Sequence, residues 1–146
     1  MLGSDIPGTP GIELPGFVEN LDGLYAGSHA VVSPILVGGG TRFKIIEAAA
    51  YGRPVVSTTV GMEGIDLAPG SEIVVRDDPK GFAAACVELL SGASLCERMG
   101  LAAREKAAAV YDRNAVVSLI RERIARRLAS AQINPNPLYN FTDAES

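Results

Sequence analysis

The stretch SPILVGGGTRFKIIEAAAYGRPVVS, Ser33–Ser57, sets an apolar run against three glycines, then strong helix formers, then a second apolar run. Gly38, Gly39 and Gly40 give up side chains where a strand hands over to a helix. Glycine there costs backbone entropy and allows a sharp turn that can lie against another group. The apolar runs of Ala30–Leu36 and Arg53–Val60 show little alternation, as strands of a parallel sheet do when both faces are covered. Thr41–Gly52 between them reads as a helix, stopped by Gly52, and Pro54 is tolerable as the first residue of its strand.

Working outward, Gly11–Val18 predicts a short strand with a Gly-Phe-Val corner, and Asn20–Ser28 a short helix with Leu21, Leu24 and Tyr25 on one side. Downstream, Glu72–Asp77 predicts a strand. Asp78 and Pro79 then supply an N-cap and a first helical residue. Helices are predicted over Ser94–Tyr111, with a break near Gly100, and over Arg113–Ala131. The order strand, helix, strand, helix predicts an α/β fold: a Rossmann-like parallel sheet with helices on both faces. Residues 1–131 form this domain and residues 132–146, with two Asn-Pro pairs and no period, a loosely ordered tail.

Composition narrows the function. The 146 residues are 47% hydrophobic, enough for one domain with its own core. A net charge of −4 argues against a nucleic-acid binder. Residues 1–73 carry 3 basic and 8 acidic residues, whereas residues 98–127 carry 8 basic and 3 acidic. Cys86, Cys96 and the single His29 show no metal-ligand spacing, so two reduced thiols in a cytoplasmic protein are expected, with no metal and no cofactor. Met1 is followed by Leu-Gly-Ser-Asp rather than a leader pattern, and no apolar run approaches bilayer length.

The glycine turn has a chemistry. A helix beginning near Thr41 has unpaired N–H groups and a partial positive charge, and glycines before it let an anion approach. Thr41 can cap the helix or reach a phosphate oxygen, Arg42 adds a bidentate donor, and Lys44 a further cation. Without the spacing of a Walker loop or dinucleotide fingerprint, a tight structural turn is the alternative. Glu47, amid KIIEAAA, reads as packed and in want of hydrogen-bond partners, the vicinal hydroxyls of a ribose; the alternatives are an ion pair with Lys44 or a solvated face.

These residues carry a resemblance. SPILVGGGTRFKIIEAAAYGRPVVSTTVGMEGIDLAPG, with GIELPGFVENLDGLYAGSHAVVSP before it and the Asp-Pro helix after it, resembles the donor-binding, carboxyl-terminal segment of retaining GT-B glycosyltransferases of group 1. The resemblance covers residues 11–128. It implies that Gly38–Thr41 hold the sugar and phosphates of a UDP- or GDP-linked donor, assisted by Arg42 and Lys44. Glu47 would contact the ribose, and Gly16, Phe17 and Val18 would line the base pocket. The family's first Glu would fall at Gly39 and is absent, so no catalytic carboxylate is assigned. TTVGMEG, Thr58–Gly64, would border the cleft, with Glu63 a ligand contact or a solvated acid.

The resemblance also implies an incomplete domain: a preceding strand-helix-strand unit with the diphosphate clamp, and a separate acceptor domain, are not in this chain. A partial sheet predicts an unpaired edge, hence dimerisation, strand exchange, or assembly with an amino-terminal domain in trans. On the last helix, Val116, Ile120, Ile124 and Leu128 form a docking stripe beside Arg121, Arg123, Arg126 and Arg127. The stripe packs against the domain or, alternatively, the helix lies on an acidic membrane surface.

Overall fold

The computed structural model describes residues 9–130. Its elements run α1 (Asp22–Gly27), β1 (Val31–Ser33), α2 (Phe43–Ala50), β2 (Val55–Ser57), β3 (Val74–Val75), α3 (Pro79–Ser91), α4 (Ala93–Tyr111) and α5 (Arg113–Ser130). The three strands form one parallel sheet in the order β1-β2-β3, with Val31 opposite Val55 and Val56 opposite Val74.

Side chains alternate across a strand, so neighbouring residues serve opposite faces. Val31, Val55 and Val75 join one apolar cluster with Ile45 and Ala48 of α2 and Ala103 of α4. Ala30, Val56 and Val74 join a second, with Ala85 and Leu89 of α3 and Met99 of α4. Helices therefore cover both faces of a Rossmann-like sheet, as the alternation of periods predicts. β2 is buried at every residue, as its unbroken apolar run requires.

Local signals explain the helix ends. The Asp78 carboxylate accepts from the Gly81 N–H at 2.7 Å, and Pro79 follows as the first helical residue of α3. Gly52 ends α2 with φ of +67°. Gly100 does not break α4. A Cβ there would stand 2.1 Å from the Gly52 carbonyl oxygen, so the missing side chain lets α4 lie directly on the turn between α2 and β2.

Other expectations need correction. Gly11–Val18 forms no strand: a turn at Pro10–Gly11 leads into chain with no sheet partner among the described residues. β1 is three residues rather than seven, and Val32 is half exposed. β2 and β3 are likewise shorter than their apolar runs, at three and two residues. Val32 is exposed because β1 is the outer strand of the described sheet and α3 covers β2 rather than β1. α2 begins at Phe43, with Arg42 rather than Thr41 as its N-cap and no side-chain cap. The α5 stripe does not dock on the domain, because Val116, Ile120, Ile124 and Leu128 remain 36–58% exposed. The proposed tail, 132–146, lies outside the described residues, as does Met1–Asp5.

Among the described residues no helix is long and apolar enough to cross a membrane.

Candidate functional site

Parallel α/β sheets bind ligands beyond the carboxyl ends of their strands. The chain from Ser33 to α2 leaves that end of β1, and its glycine turn is solvent-exposed. Gly38 and Gly40 have φ of +137° and +105°, which only glycine adopts without strain. Gly39 differs. Its φ lies outside the left-handed region, and a Cβ there would meet nothing within 4 Å. The backbone itself does not require glycine at position 39.

Arg42 is 7% exposed, and its guanidinium turns inward. One Nη donates to the Gly38 carbonyl at 2.9 Å and to the Val60 carbonyl at 3.2 Å, stitching the glycine turn to the loop after β2. This arginine, expected as a phosphate ligand, spends that nitrogen on the backbone. Its buried Nε and the buried Ser33 hydroxyl lack a hydrogen-bond partner among the described residues. Thr41 and Lys44 are exposed beside the uncapped start of α2.

The loop after β2 is fastened to the same end. Thr58 donates its hydroxyl to the Ile35 carbonyl and accepts from the Gly61 N–H at 2.9 Å. Ser57 donates to the Ser33 carbonyl at 3.3 Å. A Cβ on Gly61 would fall 2.4 Å from the Ser57 hydroxyl, so this glycine is required for the loop to close over β1 and β2. Thr59 donates both its N–H, at 2.8 Å, and its hydroxyl, at 2.7 Å, to Asp77. Those bonds hold the Asp77 carboxyl below the usual carboxylate range, the N–H contributing most.

Glu47 is exposed, not packed, and the alternative ion pair with Lys44 does not form. Instead its Oε2 accepts from the Tyr25 hydroxyl at 3.0 Å. Tyr25 stacks on Tyr51, centroids 5.0 Å apart and planes within 9°, and the Tyr51 hydroxyl donates to Asp22. Each tyrosine thus bonds a carboxylate on the other's helix segment. Partial burial, then the bond to Glu47, pushes the Tyr25 hydroxyl up to about 12. The bond to Asp22 raises that of Tyr51.

Gly16, Phe17 and Val18 lie on the irregular chain before α1, with Phe17 94% exposed. Around the carboxyl ends lie two hollows. One, of about 450 Å³, is lined by Thr59, Val60, Met62, Glu63, Gly64 and Ile65. The other, of about 240 Å³, is a mostly apolar slot between Leu36, Thr58, Asp77 and Phe82. A hollow of about 470 Å³ sits instead at the amino ends of the strands, beside His29, Arg53, Cys96 and Arg104. No residue of the glycine turn reaches it.

Residues 3–92 match the model of the family described as glycosyl transferases group 1. The chain belongs to that family. A Klebsiella pneumoniae protein named "Uncharacterized 44.6 kDa protein in cps region" is 34% identical over 65 residues, 44% of this chain. The chain spans 17% of that relative's length in the match. No solved structure matches this group 1 glycosyltransferase chain. Of the residues expected at the site, the structure brings together Gly38–Arg42, Val60 and Thr58. It joins Glu47 to Tyr25 and leaves Phe17 apart from both. Tyr25 and Asp77 are not among the site residues the sequence points to, and Gly61 enters only as part of the Thr58–Gly64 loop. Tyr25 and Asp77 carry no local signal, since their partners Glu47 and Thr59 lie 22 and 18 residues away.

Proposed function

We propose that this chain is the nucleotide-sugar-binding portion of a cytoplasmic glycosyltransferase that moves a sugar, with retention, from a UDP- or GDP-linked donor to an acceptor. Transfer would need an acceptor domain in addition to this chain. The observation that carries the reading is Gly39. The backbone does not require glycine there, and the position stands open at the carboxyl end of β1, before a helix with no side-chain cap.

The mechanism is electrostatic. A departing nucleoside diphosphate gains charge, which uncapped N–H groups and the α2 dipole stabilise. Arg42 acts by holding the turn in shape, and Lys44 is the exposed cation nearest in sequence. The unpartnered Ser33 hydroxyl and Arg42 Nε are further polar groups at this end of the sheet. Glu47 accepts from the ribose diol. The relative's cps region supports a role in carbohydrate biosynthesis.

A second reading is a non-catalytic module that assembles with a separate amino-terminal domain, and the undocked α5 stripe favours it. Calorimetric titration with UDP, GDP and their glucose and mannose conjugates tests the first. Saturable binding to one base is expected. Glu47→Ala should weaken it about tenfold or more, the usual cost of losing hydrogen bonds to a charged group. Silence across the panel in a folded chain leaves the module reading in its place.

A further inference from the structure

We propose that Tyr25 is a positioning residue for Glu47, holding the carboxylate ready for the donor's ribose; this rests on Glu47 being the ribose acceptor. Glu47 is exposed and has no other partner among the described residues, so without Tyr25 its side chain would sample several rotamers. The Tyr25 hydroxyl, 3.0 Å from Oε2, selects one of them.

Tyr25 can do this because it is itself held. Its ring is half-buried against the core formed by α2, α4 and the sheet, and it stacks on Tyr51. Tyr51 in turn is tied to Asp22 at the start of α1, and the Asp22 N–H donates to Asn20 at 2.8 Å. The support therefore runs through both helices and does not depend on a ligand.

The stoichiometry allows ligand and tyrosine together. A carboxylate offers about four lone-pair positions on two oxygens. Tyr25 takes one, leaving Oε1 free and one position on Oε2, enough for a vicinal diol. The Tyr25 hydroxyl, like any phenol, is protonated and so a donor across the neutral range. Pre-ordering one flexible side chain strengthens binding by about threefold to tenfold.

The test compares a ribonucleotide with its 2′,3′-dideoxy counterpart, for both UDP and GDP, on the unaltered chain, Tyr25→Phe and Glu47→Gln. Phenylalanine keeps the ring and the stack, and a circular-dichroism melt checks the fold. The expected result is a preference for the ribonucleotide in the unaltered chain that Glu47→Gln abolishes. Tyr25→Phe should lower ribonucleotide affinity about threefold to tenfold and leave dideoxy affinity unchanged.

If Tyr25→Phe matches the unaltered chain, or weakens both ligands equally, the positioning role fails while the Glu47 reading stands. If the unaltered chain shows no ribose preference, or Glu47→Gln keeps it, the Glu47 reading fails and takes this one with it. Carbon NMR of the Tyr25 ring needs no substitution. Saturating ribonucleotide should leave the hydroxyl-bearing carbon's resonance in place, and a shift to the free-phenol position would overturn the proposal.

Discussion

Two glycines with opposite reasons for being glycine can be told apart by experiment. At Gly100 the reason is packing, because any Cβ would collide with the Gly52 carbonyl oxygen. Alanine would gain roughly 1 kcal/mol of helix propensity, but forcing α4 off the turn costs about 1–3 kcal/mol as overpacking. Much of that penalty is expected because the contact is backbone and cannot rotate away. Gly100→Ala should therefore lower the urea midpoint. At Gly39 neither packing nor φ forbids a side chain. Gly39→Ala should leave the melt within about 0.5 kcal/mol, as surface changes do, while weakening nucleotide binding in calorimetry. Equal melts for the two variants would refute the packing account of Gly100. Asp77 offers a test with pH. Its folded pKa is depressed by the Thr59 N–H and hydroxyl. The resulting stability is present above the unfolded pKa and is lost as pH falls through the folded one. Melts should lose stability on the acid side of the ordinary carboxylate range, and Asp77→Asn should remove that component. An acid profile identical in Asp77→Asn would show that the Thr59 bonds contribute nothing.

Elements differ in how far their boundaries can be read from sequence. α3 was fully legible, because its start is set by Asp78 and Pro79, adjacent residues acting on their own N–H groups. Asp78→Ala should cost about 1 kcal/mol, read from the denaturation midpoint. A loss confined to a few tenths would mean that Pro79 and packing alone define that end. α2 was legible in its body, where Ile45, Ala48 and Ala49 face the core, but not at its start. Thr41 has the right chemistry for a cap, yet the inward pull of the Gly38 and Val60 carbonyls on Arg42 sets the chain's path there. That contact spans 18 residues and has no local signal. All three strands are shorter than their apolar runs, because such runs reveal burial preference and not how many residues pair in register. The glycine turn was evident from three letters in a row. The Tyr25–Glu47 bond crosses 22 residues, so nothing local in the sequence joins a ring on one side of α1 to an acid on α2.

Charge and apolar surface are separated across the molecule in a way that bears on its state of association. α5 carries five arginines and one acid, Glu122, in a chain whose net charge is −4, so the rest of the chain sums to −8, most of it in residues 1–73. Glu122 is ion-paired with Arg126, leaving the other arginines to face outward beside an apolar stripe. Single exposed apolar residues are ordinary, but a stripe repeated every four residues along an 18-residue helix is a continuous surface. The outer strand β1 adds an edge with no further strand paired to it among the described residues. We propose that copies of this chain associate, the α5 stripe of one meeting a partner's apolar surface while its arginines face the partner's acidic remainder. Light scattering should then show an apparent mass that rises with concentration. Added salt should weaken the association only in part, since screening removes the charge attraction and leaves the apolar burial. Ile120→Glu with Ile124→Glu should return the protein to a monomer without lowering its melting temperature, because neither residue is buried in the fold. Association that survives this double substitution would move the contact to the β1 edge, and a monodisperse monomer at high concentration would remove it altogether.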